Sequence, residues 1–213
     1  MAAEILRTGK VVVSGDGYPA QTVDFGRDSE LTKALSGSAT WESSGVNPLD
    51  NLEDWAITIQ DKSGVVAKTV VMDPKAWKVF RSNATVQKYL DIRRGTGNSL
   101  NIDPSVRSED VKARYVGAIG DFDIYVYNDT YINDNGETAK LLPDKTVLLG
   151  SKDGLEGTRC YGAIHDEKAN WTATRYFTKS WLEEDPSVRW LLLQSAPLVV
   201  PYRPNASMCV TIG

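Results

Sequence analysis

Val70-Val71-Met72-Asp73-Pro74-Lys75-Ala76-Trp77-Lys78-Val79-Phe80 joins a β-branched apolar run to a segment that opens on Asp-Pro and carries two aromatic residues three apart. Aspartate is a strong helix N-cap, and proline suits the first helical turn, where no backbone N–H is missed. The stretch predicts a buried strand running straight into an amphipathic helix. Trp77 and Phe80 turn inward and Lys75 and Lys78 outward. Residues 65–72 alternate too little for a half-exposed strand, and their β-branched content predicts a strand covered on both faces.

Working upstream, Asn47-Pro48 announces a second helix, with Leu49, Leu52, Ala56 and Ile59 on one face and Gly64 placed to end it. Burying the three larger side chains of that face contributes about 1.5–3 kcal/mol each before conformational entropy is set against it. Residues 28–45 are polar and rich in Gly and Ser. They read as a loop with at most a short helix near Leu31 to Leu35, anchored by Trp41. Before them, residues 10–13 and 21–25 flank a glycine-bearing turn and predict a β-hairpin.

Downstream, residues 85–93 read as a further helix with Val86, Tyr89 and Leu90 on its buried side, and residues 95–103 as an exposed polar loop. The chain then turns β-rich. Strands are expected at 122–127, 145–149, 157–164, 171–178, 188–193 and 208–212, and Asn135-Gly136 is a hairpin turn signal. Helices dominate the first half and strands the second, with no regular βαβ alternation and no internal repeat, which defines an α+β fold.

Composition narrows the function. The chain has 213 residues, 41% hydrophobic and 24% charged, with a formal net charge of −4 and a pI near 5.1. That balance speaks against a surface built to neutralise phosphate. No run approaches the roughly 20 apolar residues of a membrane span, and the first residues lack the basic-then-apolar pattern of a signal peptide, so a cytosolic protein is expected. Cys160 and Cys209 lie far apart in apolar, strand-like surroundings and read as two reduced, buried thiols.

Catalytic patterns find little support. The single histidine, His165, is followed by Asp166 and Glu167 and reads as a surface turn residue. Ser195 lacks the flanking glycines of a nucleophile elbow and reads as a strand residue. Asn133-Asp134-Asn135-Gly136 does not align as a calcium loop, because Tyr131 and Leu142 would fall where carboxylates are required. Arg93-Arg94-Gly95-Thr96-Gly97 could form a small anion nest, but a charged helix end with a glycine stop explains it as well. Asp121 and Asp123 share one strand face opposite Phe122 and Ile124, the alternation of a half-solvated strand. No catalytic residue, cofactor or metal is expected. Trp55 and Trp77 read as core, whereas Trp171, Trp181 and Trp190 are candidates for contact with a neighbouring subunit.

The opening stretch, together with Asp91-Ile92-Arg93-Arg94-Gly95, Leu193-Gln194-Ser195-Ala196-Pro197-Leu198 and Val23-Asp24-Phe25-Gly26-Arg27, resembles the major capsid protein E family of lambda-like tailed phages. The matching segments occur in the family's order and cover nearly the whole chain. The resemblance implies the Hong Kong 97-type capsid fold, with an axial domain of helices around a mixed sheet and a peripheral domain with long strands. Residues 47–150 with 186–213 are expected to form the axial domain, and 1–46 with 151–185 the peripheral one. Family members begin upstream with an N-terminal arm, an extended loop and a long spine helix. This chain starts at Met1-Ala2-Ala3-Glu4, so the first two and most of the third are expected to be missing.

The implied role is structural: a phage or prophage shell subunit that self-assembles with copies of itself around the genome. It would enclose DNA without gripping it and meet decoration or scaffolding proteins. Such a protein is made in the bacterial host cytoplasm and ends in the virion. Arg93, Arg94, Gly95 and Asn98, in and before the loop that would meet its copies around a ring, are candidate contacts, with Asn135 and Gly136 of the hairpin. The alternatives are a β-rich ligand-binding module with a concave aromatic pocket, or an enzyme using His165.

Overall fold

The computed structural model describes residues 1–15, 18–88, 113–133 and 136–213. Its centre is a six-stranded mixed sheet in the order β3-β14-β9-β4-β6-β5. These strands are β3 (Thr32–Ala34), β4 (Thr69–Met72), β5 (Ala113–Ile119), β6 (Phe122–Tyr127), β9 (Thr146–Gly150) and β14 (Ser207–Thr211). Strand β4 runs parallel to β6 and antiparallel to β9, and β14 runs antiparallel to β9 and parallel to β3.

Register builds the core. Met208, Leu149, Val70 and Ile124 line up across four strands, and Val210, Val147, Met72 and Val126 form the next row. Helix α2 (Pro48–Ser63) lies over β9 and β14, and α3 (Pro74–Ser82) over β4 and β6. Leu52, Ile59, Ala76 and Phe80 are fully buried against these rows. Trp41 is wedged among them, stacked on Trp55 at 5.7 Å between ring centres and tilted against Phe80 at 5.5 Å, while its indole N–H donates to Asn51 at 3.0 Å. The opposite face of β14 is covered by α1 (Ala2–Thr8), whose Ile5 is buried.

Both capped helices form as their termini foretell. The Asn47 side chain accepts from Leu49 N–H, and α2 stops at Gly64, which sits at φ 70°. The Asp73 carboxylate accepts from the N–H groups of Lys75 and Ala76. Phe80 is fully buried, Trp77 is half-buried against it, and Lys75 and Lys78 face out. Residues 84–88 are helical with Val86 buried, and the remainder of the expected 85–93 helix lies outside the described residues.

Several expectations are corrected. The strand expected over 65–72 begins at Thr69, because the four preceding residues carry the chain from the end of α2 to the sheet, leaving Val66 half exposed. It is fully covered on the helix side, at Val70 and Met72, and only partly at Thr69 and Val71. Within residues 28–45, Ser29–Leu31 make a short 3-10 turn, and β3 then joins the sheet edge alongside β14. Strand β5 was not anticipated. The strand expected over 171–178 starts at Phe177, because Asn170 and Trp171 take left-handed φ of 49° and 57°, which extended backbone excludes. Ser195 lies between two strands, and Cys160 is exposed on a two-stranded ribbon; Cys209 is buried as expected.

Among the described residues, four two-stranded ribbons surround the sheet. They are β1 (Lys10–Gly15) with β2 (Tyr18–Asp24), β7 (Thr130–Ile132) with β8 (Thr138–Lys140), β10 (Gly157–Tyr161) with β13 (Pro197–Pro201), and β11 (Phe177–Glu183) with β12 (Val188–Gln194). The first is the hairpin expected near the N-terminus. Two associations run across the expected domain limits at 46 and 185: β3 and Trp41 belong to the central sheet and its core, and β11 pairs with β12 along its whole length.

Arg27 ties the ends of the chain together. Its guanidinium donates to the backbone carbonyls of Leu6 (2.6 Å), Leu31 (2.8 Å) and Ser207 (2.6 Å), linking α1, the approach to β3 and the start of β14. Burial lowers its affinity for the proton, and the three carbonyls replace lost water. Gly9, at φ 72°, lets the backbone pass so close that a Cβ there would lie 2.3 Å from Arg27 Cβ.

Candidate subunit-contact surfaces

Gly136 alone of the six predicted contact residues is described; Arg93, Arg94, Gly95, Asn98 and Asn135 lie outside the described residues. Gly136 is exposed at φ 80°, and its N–H donates to the Asn133 carbonyl at 2.9 Å in the turn that joins β7 to β8. Asn133 also accepts from Glu137 N–H at 2.8 Å, so this segment is a hairpin turn rather than a cation loop. Ile132 beside it is 74% exposed.

His165 is an exposed loop residue whose ring meets Trp171 edge-on at 3.9 Å. The Ser195 hydroxyl donates to the Arg175 carbonyl at 2.8 Å. Among the described residues, no three His, Cys, Asp or Glu side chains converge as metal ligands, and no helix is long and apolar enough to cross a membrane.

The β11–β12 ribbon is the most apolar exposed element. Cross-strand pairing puts Trp181 opposite Trp190, stacked at 6.2 Å, on the same face as Lys179 and Leu192. That face is partly dressed: Lys179 bonds Asp166 at 2.8 Å and lies over the Trp181 ring, and Trp190 donates to Glu183. The other face carries Leu182, Leu191 and Leu193, at 60%, 80% and 65% exposure, beside Thr178, Ser180 and Arg189. Three leucines bare on one narrow face are unusual for a surface that stays in water. The sequence held the signal. Val188-Arg189-Trp190-Leu191-Leu192-Leu193 places apolar groups on both sides of a strand, and a two-stranded ribbon cannot bury both.

A second feature is an open groove of about 580 Å³ lined by Lys75, Lys78, Lys145 and Glu42, by Trp41, Val79 and Ala84, and otherwise by serines and Asn83. Lys75 and Lys140 both pair with Asp144, and Lys145 pairs with Glu42 at 2.7 Å. The hydrogen bonds from Lys140 and Lys75 hold the Asp144 carboxyl below its ordinary range, and the same bond raises Lys75. Lys78 has no carboxylate partner among the described residues.

The described residues thus form a mixed sheet with two helices on one face and two-stranded ribbons around it. The fold is that of a crystal structure described as a capsid protein of an Escherichia coli CFT073 prophage, with a TM-score of 0.77 and 23% identity over 99% of this chain and 61% of that one. The chain belongs to the phage major capsid protein E family, which it matches over residues 1–212. It is 33% identical over 219 residues to the major capsid protein of Escherichia phage lambda, covering all of this chain and 62% of that protein. It is also 29% identical to the P21 prophage-derived major head protein of Escherichia coli O6:H1, over 96% of this chain and 60% of the relative. The chain thus spans about three fifths of the length of these curated relatives. The family is one of structural proteins, not enzymes.

Proposed function

We propose that this chain is the sheet-bearing part of a major capsid subunit, which builds a phage or prophage shell by contacts between copies of itself. Family membership over the whole chain carries the reading, and the bare ribbon surfaces support it. The six-stranded sheet with α2 and α3 is the axial part, and the ribbons before and after it contribute the peripheral part. Residues 95–103, with Asn135-Gly136 between β7 and β8, are contact candidates within rings. With a net charge of −4 the shell would enclose DNA without binding it specifically. Decoration or scaffolding proteins are further partners, and the subunit is made in the host cytoplasm before it enters the virion.

Heterologous contacts that close give rings, and rings tile a shell. Taken alone, these 213 residues should form a folded monomer or small oligomer. Light scattering after size-exclusion chromatography measures this, and closed megadalton particles would refute it. The role itself is tested by inducing the host and banding DNA-filled particles on a density gradient. Peptides of this chain should dominate the shell protein by mass spectrometry. Their confinement to the soluble cell fraction would overturn the reading.

A further inference from the structure

We propose that the β11–β12 ribbon of one copy seats in the Lys78 groove of a second copy, with its acidic tip toward Lys78 and its leucine face over Val79 and Ala84. The inference rests on the shell role proposed above and names one contact within it. Glu183, Glu184 and Asp185 put three carboxylates at the turn of the ribbon, and Glu184 and Asp185 have no cationic partner among the described residues. The groove presents Lys78 unpaired, Lys75 and Lys145 beside it paired to Asp144 and Glu42, and Val79 and Ala84 as accessible apolar surface. Charge complementarity of this kind selects partner and register, while the apolar burial supplies most of the affinity.

The ribbon and the groove are different surfaces of the chain, so the contact is heterologous: each copy offers both halves, and the pairing repeats from copy to copy until it closes into a ring. The Trp181–Trp190 face, already dressed by Lys179 and Asp166, keeps the ribbon stiff without competing for the groove. The remaining outward leucines then lose water to the second copy, which resolves an exposure of 60–80% at Leu182, Leu191 and Leu193.

The test uses the whole chain at rising concentration in sedimentation velocity, with zero-length carbodiimide cross-linking of mixed light and heavy-isotope copies. Association should appear at high concentration, and Glu184 or Asp185 of one isotope form should be joined to Lys78 of the other. The double reversal E184K/D185K and the single K78E should each weaken association roughly tenfold or more, and their combination should recover it. Leu191→Ser with Leu193→Ser should weaken it as well, with unchanged far-ultraviolet circular dichroism showing that the fold is intact. A monomer at every concentration overturns the proposal, as does association that charge reversal leaves unchanged or cross-links that join other surfaces. If the chain is recovered from particles but these cross-links are absent, the contact fails and the shell role stands.

Discussion

The Asp73 carboxylate accepts the backbone N–H of Thr146 at 3.1 Å, across 73 positions of sequence, while it also caps α3 through Lys75 and Ala76. One buried side chain therefore ends β4, starts α3 and pins the first residue of β9. Asp73→Ala removes the cap and leaves the buried Thr146 N–H without an acceptor, so it should cost about 2–4 kcal/mol in chemical denaturation. Asp73→Asn keeps one acceptor oxygen and should cost less. Equal losses for the two variants would contradict this account.

Arg27 is the second long-range tie. Arg27→Met keeps much of the packing but abandons the carbonyls of Leu6, Leu31 and Ser207, and should lose about 2–3 kcal/mol. Arg27→Lys should recover little, since an ammonium cannot reproduce the planar fork. Amide hydrogen exchange should accelerate most in α1 and the β1–β2 hairpin. Uniform acceleration across α2 and α3 would show that the staple is not local.

Trp41 sits between Trp55 and Phe80 and is 2% exposed. Its truncation to alanine should cost about 3–5 kcal/mol through lost burial and an unfilled cavity, and Trp41→Phe clearly less. Near-ultraviolet circular dichroism should lose the signal of the stacked indoles in both. Full stability in Trp41→Ala would mean that residues 28–45 are not part of the core.

Asp24, Asp28, Asp144 and Asp166 are each held below the ordinary carboxylate range, chiefly by lysine hydrogen bonds at Asp24, Asp144 and Asp166, and at Asp28 by the Glu30 N–H ahead of Lys62. A carboxylate depressed in the folded state adds stability above its unfolded value and loses it as pH falls through the folded one. Denaturation midpoints should therefore drop from neutral pH into the acid range. Lys62 and Lys75 are raised, so their contribution is complete at neutral pH and fades only at strongly alkaline pH. Asp24 and Asp144 are exposed, Asp28 and Asp166 only partly, and added salt should shrink the acid effect, most at the exposed pair. A midpoint that rises on acidification would refute the assignment.

The parts of this protein that were legible without coordinates are those whose causes lie within a few residues. Asn47-Pro48 with Gly64, and Asp73-Pro74, delimit α2 and α3 because caps bond to N–H groups two or three positions away. The Val70 to Phe80 segment gave the strand-to-helix unit for the same reason, and the family resemblance followed from its order with other short segments. What needed the folded chain depends on groups far apart. Thr32–Ala34 carries no alternation, and becomes a strand only because Cys209–Thr211 lies beside it. Arg27 reads as an ordinary surface charge until Ser207, 180 positions on, comes within reach. Trp181 and Trp190 were singled out as contact residues, but the leucine face behind them emerged only from cross-strand register, since pairing decides which side chains share a side. Local hydrogen bonding sets where elements begin and end, whereas long-range pairing sets which of their surfaces remain for another copy to cover.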